Sequence, residues 1–199
     1  KINTKAEVLP GIINVSSIKI NKNIANKNIL FSGSLGKTTG FELALKMAKE
    51  MKDYALYITG RPYGYSDLEF EQLLKEYESE NIQYLGLLEY NEYVDIIDKC
   101  TIALSLRDPK DVQHDYNFPS KILEYMSNGM VVVSTKLYAE IDEKSYFATG
   151  EYSVEGLSKV VRAIFDIEDL GAYRAYISKY VKDNFTAKNL MDKIEKLEE

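Results

Sequence analysis

The sequence predicts an α/β fold in which a parallel β-sheet is covered by helices on both faces. Three observations lead there. Short runs such as Ile29-Leu30-Phe31 and Met130 to Val133 are almost wholly apolar, the pattern of strands buried on both faces. Segments with one-sided apolar spacing alternate with these runs along the chain. Glycines punctuate the strand ends, at Gly33, Gly60 and Gly86, where the chain must turn.

Each element has its own justification. Lys5 to Val15 is a short apolar segment around Pro10-Gly11, and the Asn- and Lys-rich stretch 16–28 reads as an exposed connector. Asn28 to Ser32 is the first strand. Phe41, Ala44, Leu45, Ala48 and Met51 form the stripe of the first helix. Ala55 to Thr59 is a second strand ending at Gly60-Arg61-Pro62, and Phe70, Leu73, Leu74 and Tyr77 mark the second helix. Ile82 to Leu85 is the third strand. Tyr93, Val94, Ile96 and Ile97 mark a short helix before the fourth strand, Thr101 to Leu106. A loop from Arg107 to Phe118 leads to a helix from Pro119 to Asn128, stopped by Gly129 as a left-handed C-cap. Met130 to Thr135 is the fifth strand and Ser145 to Ala148 the sixth. Three helical stripes close the chain, on Leu157/Val160/Val161/Ile164, Tyr173/Tyr176/Ile177/Tyr180 and Leu190/Met191/Ile194/Leu197. The result is a Rossmann-like sheet, whose ligands sit outside the carboxyl ends of the strands. That rule selects the loops after Ser32, Thr59, Leu85 and Leu106.

Composition narrows the chemistry. A 45% hydrophobic content over 199 residues supports a real core. The net charge of −6 argues against nucleic acid as the main partner, since phosphate-backbone affinity comes from many cations. One cysteine, Cys100, cannot form an internal disulfide, so a reducing, cytoplasmic setting is expected and Cys100 itself reads as core. One Cys and one His (His114) cannot build a His/Cys zinc site, and no Asp-x-Asp triplet is present to hold a metal–diphosphate. No apolar run reaches the roughly 20 residues of a membrane span. The chain starts at Lys1 rather than Met, and an upstream part is expected.

Two segments carry candidate chemistry. In Gly33-Ser34-Leu35-Gly36-Lys37-Thr38-Thr39-Gly40, glycines between a strand and a helix offer backbone N–H groups to an anion, and Lys37 adds charge. Gly36-Lys37-Thr38 also resembles the end of a P-loop, but the glycine that motif needs five residues earlier is Phe31. A plain strand-to-helix turn is the bland alternative. The second segment is Phe118-Pro119-Ser120-Lys121-Ile122-Leu123-Glu124. Lys121 in a first helical turn opposes the helix dipole, at a cost of roughly 0.3–1 kcal/mol that a bound diphosphate would reverse. Glu124, one turn after Ser120, can accept two hydrogen bonds from a vicinal diol such as ribose. The bland alternative is a solvated Lys121–Glu124 pair worth about 0.2–0.5 kcal/mol. Arg61, after Gly60, is placed to stack on a base or touch phosphate, or is a surface arginine. His114 lies in the long loop beside the site.

The run from Phe118 to Met126, with Gly129 and Val131-Val132-Val133, resembles the signature helix of the family 4 retaining glycosyltransferases of GT-B fold. Asn28 to Gly40 resembles that family's first strand and glycine loop, Asn81 to Gly86 its base-flanking segment, and Ser178 to Leu197 its terminal helices. The resemblance implies that 1–199 is one domain, the C-terminal donor-binding half of a hexosyltransferase-type enzyme. Its substrate would be a UDP- or GDP-sugar, with no tightly bound cofactor and no metal. A missing N-terminal domain would bind the acceptor, contact 172–199, and carry any peripheral membrane association. Bacterial polysaccharide or glycolipid assembly is the implied setting. By the same resemblance Glu124 holds ribose, Ser120 and Lys121 meet the diphosphate or sugar, and Gly33 and Ser34 meet phosphate. Lys37, Gly60, Arg61, Leu88 and Phe118 complete the donor site, and Lys121 and Glu124 are the residues on which catalysis rests.

The chain departs from the family pattern at four positions. Tyr116 stands for a glutamate, Ser34 for the loop arginine, Thr39 for the loop lysine and Val131 for a proline. Two other functions share the fold: a sugar-nucleotide epimerase, which needs acid–base carboxylates at the sugar, and a non-catalytic binding module.

Overall fold

The computed structural model describes residues 11–13, 26–110 and 120–198. Six parallel strands form one sheet in the order β3-β2-β1-β4-β5-β6. They are β1 Asn28–Gly36, β2 Ala55–Tyr63, β3 Ile82–Tyr84, β4 Ile102–Ser105, β5 Val131–Ser134 and β6 Phe147–Ala148. Ile29, Leu30, Ile102, Ala103 and Val131 to Val133 have no exposed surface, as strands covered on both faces require. The helices are α1 Phe41–Glu50, α2 Asp67–Glu76, α3 Tyr90–Lys99, α4 Ser120–Ser127, α5 Val154–Ile164, α6 Leu170–Asn184 and α7 Ala187–Glu198. Right-handed crossovers put α1 and α2 on one face and α3 and α4 on the other. Helix α5 joins the first layer by packing on α1, and α6 joins the second by packing on α4. Among the described residues no helix is long and apolar enough to cross a membrane.

This strand order reverses direction between β1 and β4, so their carboxyl ends diverge and open a crevice. Helix α4 is held over that crevice from its far end. Gly129 takes φ 71°, its N–H donates to the Met126 carbonyl at 2.9 Å, and the Met130 N–H donates to the Tyr125 carbonyl at 3.0 Å. These two bonds are a Schellman stop. Helix α6 then reads the same terminus. Arg174 Nε donates to the Gly129 carbonyl at 2.6 Å and Ser178 Oγ to the Ser127 carbonyl at 2.6 Å. A cation there also favours the negative end of the α4 dipole. The buried face of α6 is therefore Leu170, Arg174, Ile177, Ser178 and Val181. Two of the tyrosines pack inside this domain, Tyr173 on Phe147 at 5.9 Å and Tyr180 on Phe185 at 5.9 Å.

Two expectations need correction. The first two strands do not stop at Ser32 and Thr59; they stay paired to Gly36 and Tyr63, so half of the expected glycine loop is strand. Gly33 and Gly60 are register partners with φ 117° and 138°. Without side chains the two backbones bend together and keep their ladder; a Cβ on Gly60 would overlap the Gly33 carbonyl. The sixth strand also shrinks. Asp142 caps a 3₁₀ turn, Glu143–Ser145, leaving only Phe147–Ala148 to pair with β5. The connector at 16–28 lies outside the described residues except for its last three. Of those, Asn26 Nδ2 donates to the Lys99 carbonyl at 2.8 Å and so ties the start of β1 to the end of α3.

The Gly60 packing gives a paired test. Gly60→Ala is expected to cost roughly 3 kcal/mol, from a forbidden φ plus backbone overlap. Gly86→Ala, at φ 68° with nothing near the added Cβ, is expected to cost about 1 kcal/mol. Urea unfolding midpoints measure both, and equal losses would show that the Gly33–Gly60 approach is not what holds the ribbon.

Candidate functional site

The crevice at the β1/β4 switch point is a cleft of about 200 Å³. Its walls come from three elements: Ser32, Gly33 and Ser34 of β1, Arg107 beyond β4, and Ser120 and Lys121 of α4. Thr39 and Tyr125 also face it. Among the described residues no Asp or Glu lines this cleft, although the whole chain carries a net charge of −6. Two cations, several hydroxyls and the opening turn of α4 converge there, which is the electrostatic character of an anion site.

Lys121 is fixed by β1. Its Nζ donates to Ser32 Oγ at 3.2 Å and lies where a Gly33 side chain would be. The residue as a whole is exposed, yet its ammonium lies against β1. Burial pushes the ammonium below its ordinary value, the Glu124 charge resists, and Arg107 adds to the depression. The solvated-pair alternative thus fails on geometry: the lysine reaches across to the neighbouring strand.

Ser32 gathers further hydroxyls, with Tyr125 Oη at 2.7 Å and Tyr93 Oη at 3.2 Å. Tyr93 continues to Glu124, donating to Oε2 at 3.4 Å. Glu124 is half-buried, and burial raises its carboxyl above the ordinary 4.5, with Lys121 and the Tyr93 hydroxyl opposing the rise. Burial and the Glu124 charge push Tyr93 up to about 12, so at neutral pH it is a donor. Glu124 faces a second groove, about 510 Å³, between α3 and α4. Apolar walls of Ile12, Ile13, Tyr90, Val94 and Ile97 flank it, and Ser120 and Lys121 belong to both spaces.

The other expected residues divide. Ser34 is exposed on the cleft wall. Gly60 packs beside Gly33, and Arg61 pairs with Ser34 along the ribbon rim; both stand next to the cleft without lining it. Leu88 is half-buried against the core. Lys37 is not brought in: its Nζ sits 5.1 Å over the Tyr65 ring, and its charge helps hold Glu69 low. That correction follows from the strand extension, which confines the turn to 37–40, where Thr39 faces the cleft and Lys37 points to Tyr65 instead. Thr39 closes the turn on itself, accepting from the Gly36 N–H at 2.9 Å and donating to the Gly36 carbonyl at 2.9 Å. The Gly36 amide is therefore already used. Phe118, together with Tyr116 and His114, lies outside the described residues. Sequence reading missed Ser32, Tyr93, Tyr125 and Arg107. Only Arg107 carried a signal, as the first charged residue past an apolar strand whose loop the switch-point rule had selected.

The family model "Glycosyl transferases group 1" matches residues 14–199. No curated protein matches in sequence. Among solved structures, the chain is similar to a sucrose-phosphate synthase from Thermosynechococcus elongatus, with TM-score 0.70 and 15% identity, over 96% of this chain and 51% of that one. It is also similar to the C-terminal domain of a glycosyl transferase group 1 family protein (LpcC) from Francisella tularensis, with TM-score 0.60 and 19% identity, over 78% and 82%. A third is the pneumococcal O-GlcNAc transferase GtfA in complex with UDP and GlcNAc, with TM-score 0.62 and 15% identity, over 95% and 37%. At these identities the structures establish the GT-B fold. The chain spans about half the length of the synthase.

The coupled charges make a titration test. Removing the Lys121 charge in Lys121→Met takes away an influence that lowers Glu124, so the Glu124 pKa is expected to rise further; Tyr93→Phe shifts it the same way. Carboxyl-carbon NMR of the ligand-free protein reads both. Because the folded pKa is raised, Glu124 favours folding below the unfolded value of 4.5 and loses that contribution as pH rises through the folded pKa. Glu124→Gln is therefore expected to be at least as stable as the parent at pH 7, with the difference closing near pH 4. A fall in the Glu124 pKa in either variant would contradict the network.

Proposed function

This chain belongs to the glycosyl transferases of group 1, and from that premise we propose that it is the donor-binding half of a hexosyltransferase. It holds a UDP- or GDP-sugar for transfer to a hydroxyl of an acceptor presented by a second domain. The observation that carries this reading is the joined pair of spaces: a cationic cleft at the switch point with no carboxylate among its described lining residues, and a groove holding Glu124, with Ser120 and Lys121 common to both. A diphosphate in the cleft meets Lys121, Ser34, Ser120 and the first amides of α4. The attached ribose then falls beside Glu124, and the base runs on between the apolar walls of the groove. Glu124, held by Tyr93, accepts the ribose hydroxyls.

As the bond from sugar to phosphate breaks, negative charge grows on the diphosphate. Fixed donors and cations around that position stabilise it without reorganising. We propose that side chains supply this charge in place of a divalent ion. Such ions are held by anionic oxygen ligands, and the described lining offers none. Among the described residues the cleft lining offers no acid–base carboxylate, which disfavours the epimerase reading. Lys37, turned away from the cleft, and the uncharged Ser34 and Thr39 on its wall are the features that favour a non-catalytic module.

Calorimetry with UDP, GDP, UDP-glucose and GDP-mannose separates these readings. Binding by one base series is expected, and Glu124→Ala is expected to weaken it by about 10- to 100-fold, the loss of charge-assisted hydrogen bonds. Affinity for the sugar-linked nucleotides, whose diphosphate does not titrate near neutrality, should fall as pH drops through the raised Glu124 pKa. The isolated polypeptide should bind donor yet give almost no multiple turnover. Absence of binding at millimolar concentration in both series would leave the module reading standing.

A further inference from the structure

We infer that Arg107 is a further catalytic residue, the cation that takes up charge on the departing diphosphate; this rests on the donor-binding reading above. The β1 wall of the cleft, Ser32 to Ser34, carries no cation of its own. Thr39 is spent on closing its turn, and Lys37 lies over Tyr65. Lys121 alone would face a group gaining a full negative charge.

Arg107 is built into the same cleft from the β4 side. Its backbone is clamped twice by one side chain: its N–H donates to Thr135 Oγ1 at 2.7 Å, and its carbonyl accepts from that hydroxyl at 2.7 Å. The next residue is tied to the glycine turn, with the Asp108 N–H donating to the Thr38 carbonyl at 2.9 Å. The root of the arginine is thus fixed to β5 on one side and to the turn on the other. Its charge reaches Lys121 and Tyr138. Among the described residues no carboxylate lines the cleft. Two cations in one cleft repel each other unless an anion joins them. A planar guanidinium matches phosphate oxygens two at a time, which an ammonium cannot do.

In the transfer step the bond between the sugar carbon and the terminal phosphate oxygen breaks, and both electrons stay on that oxygen. The acceptor oxygen bonds to the carbon, and its proton passes to the phosphate oxygen or to water. Free UDP or GDP carries the extra negative charge that the sugar-linked form lacks, so the pair of ligands reports the charge Arg107 is assigned to hold.

Calorimetry with Arg107→Gln and Arg107→Lys, using UDP, GDP, UDP-glucose and GDP-mannose, tests the assignment. Arg107→Gln should weaken the free diphosphate by about tenfold or more and the sugar-linked form by about threefold or less. Arg107→Lys should recover part of the loss. The melting temperature without ligand should not fall, since a like-charge contact is relieved. Equal losses for the two ligand forms, or no loss, would overturn the assignment. If Arg107→Gln does not fold, the same differential in Arg107→Lys, smaller in size, decides. Should the unaltered chain bind none of the four ligands, the donor reading itself fails, and this shows before any variant is made.

Discussion

The close approach of Lys121 to the Gly33–Ser32 corner is the contact on which the site depends. It requires three conditions at once. Residue 33 must lack a side chain, the first turn of α4 must come down over the end of β1, and α4 must not slide. The last condition is met far from the cleft, by the Gly129 stop and by Arg174 and Ser178 of α6. Ile122, Leu123 and Met126 add the apolar anchor, each with at most 1% of its surface exposed. Burying such a side chain contributes roughly 1.5–3 kcal/mol, far more than the 3.2 Å ammonium–hydroxyl bond can supply. Packing therefore sets the geometry, and the polar contacts inherit it.

That arrangement has a stability cost that points to a ligand. Lys121 is held where its charge is disfavoured, beside Arg107, and Glu124 is held where its own charge is disfavoured. The two partly offset each other, but one faces the cleft and the other the groove. Natural folds tolerate such unfavourable placements chiefly where they serve function. A diphosphate and a pentose would reverse both penalties, the first by neutralising two cations and the second by giving the carboxylate its hydrogen bonds.

Much of the fold was legible because burial writes itself into composition. The central strands are buried on both faces, so Ile29-Leu30 and Val131 to Val133 could hardly be anything else. The glycine stop at Gly129 was legible because only a left-handed residue ends a helix that way. What escaped depends on pairs distant in sequence. Nothing in the local pattern says that Gly33 and Gly60 face each other, so the strands were ended too early and Lys37 was placed in the wrong space. The Ser32–Tyr93–Tyr125 cluster joins three elements, and its tyrosines look like ordinary core residues when read singly. Lys121 stood out because a cation in a first helical turn contradicts the dipole, a contradiction visible locally; Glu124 was read from its place one turn after Ser120 and from the family resemblance.

The division of charge between the two spaces explains why an acidic chain can serve an anionic ligand. Long-range attraction is screened within about 8–10 Å at physiological salt, so the net charge of −6 matters less than what lines the cleft. Moving Glu124 one turn earlier would set a carboxylate among the phosphates and cancel Lys121; one turn later it would leave the reach of Tyr93. At its actual position it borders the cleft through Lys121 but opens onto the groove. The spacing of three residues between the two side chains thus converts a helix turn into a boundary between a phosphate environment and a sugar-hydroxyl environment. Under the assignment proposed above, Arg107, arriving from β4, would add charge to the phosphate side while Glu124 keeps the groove side.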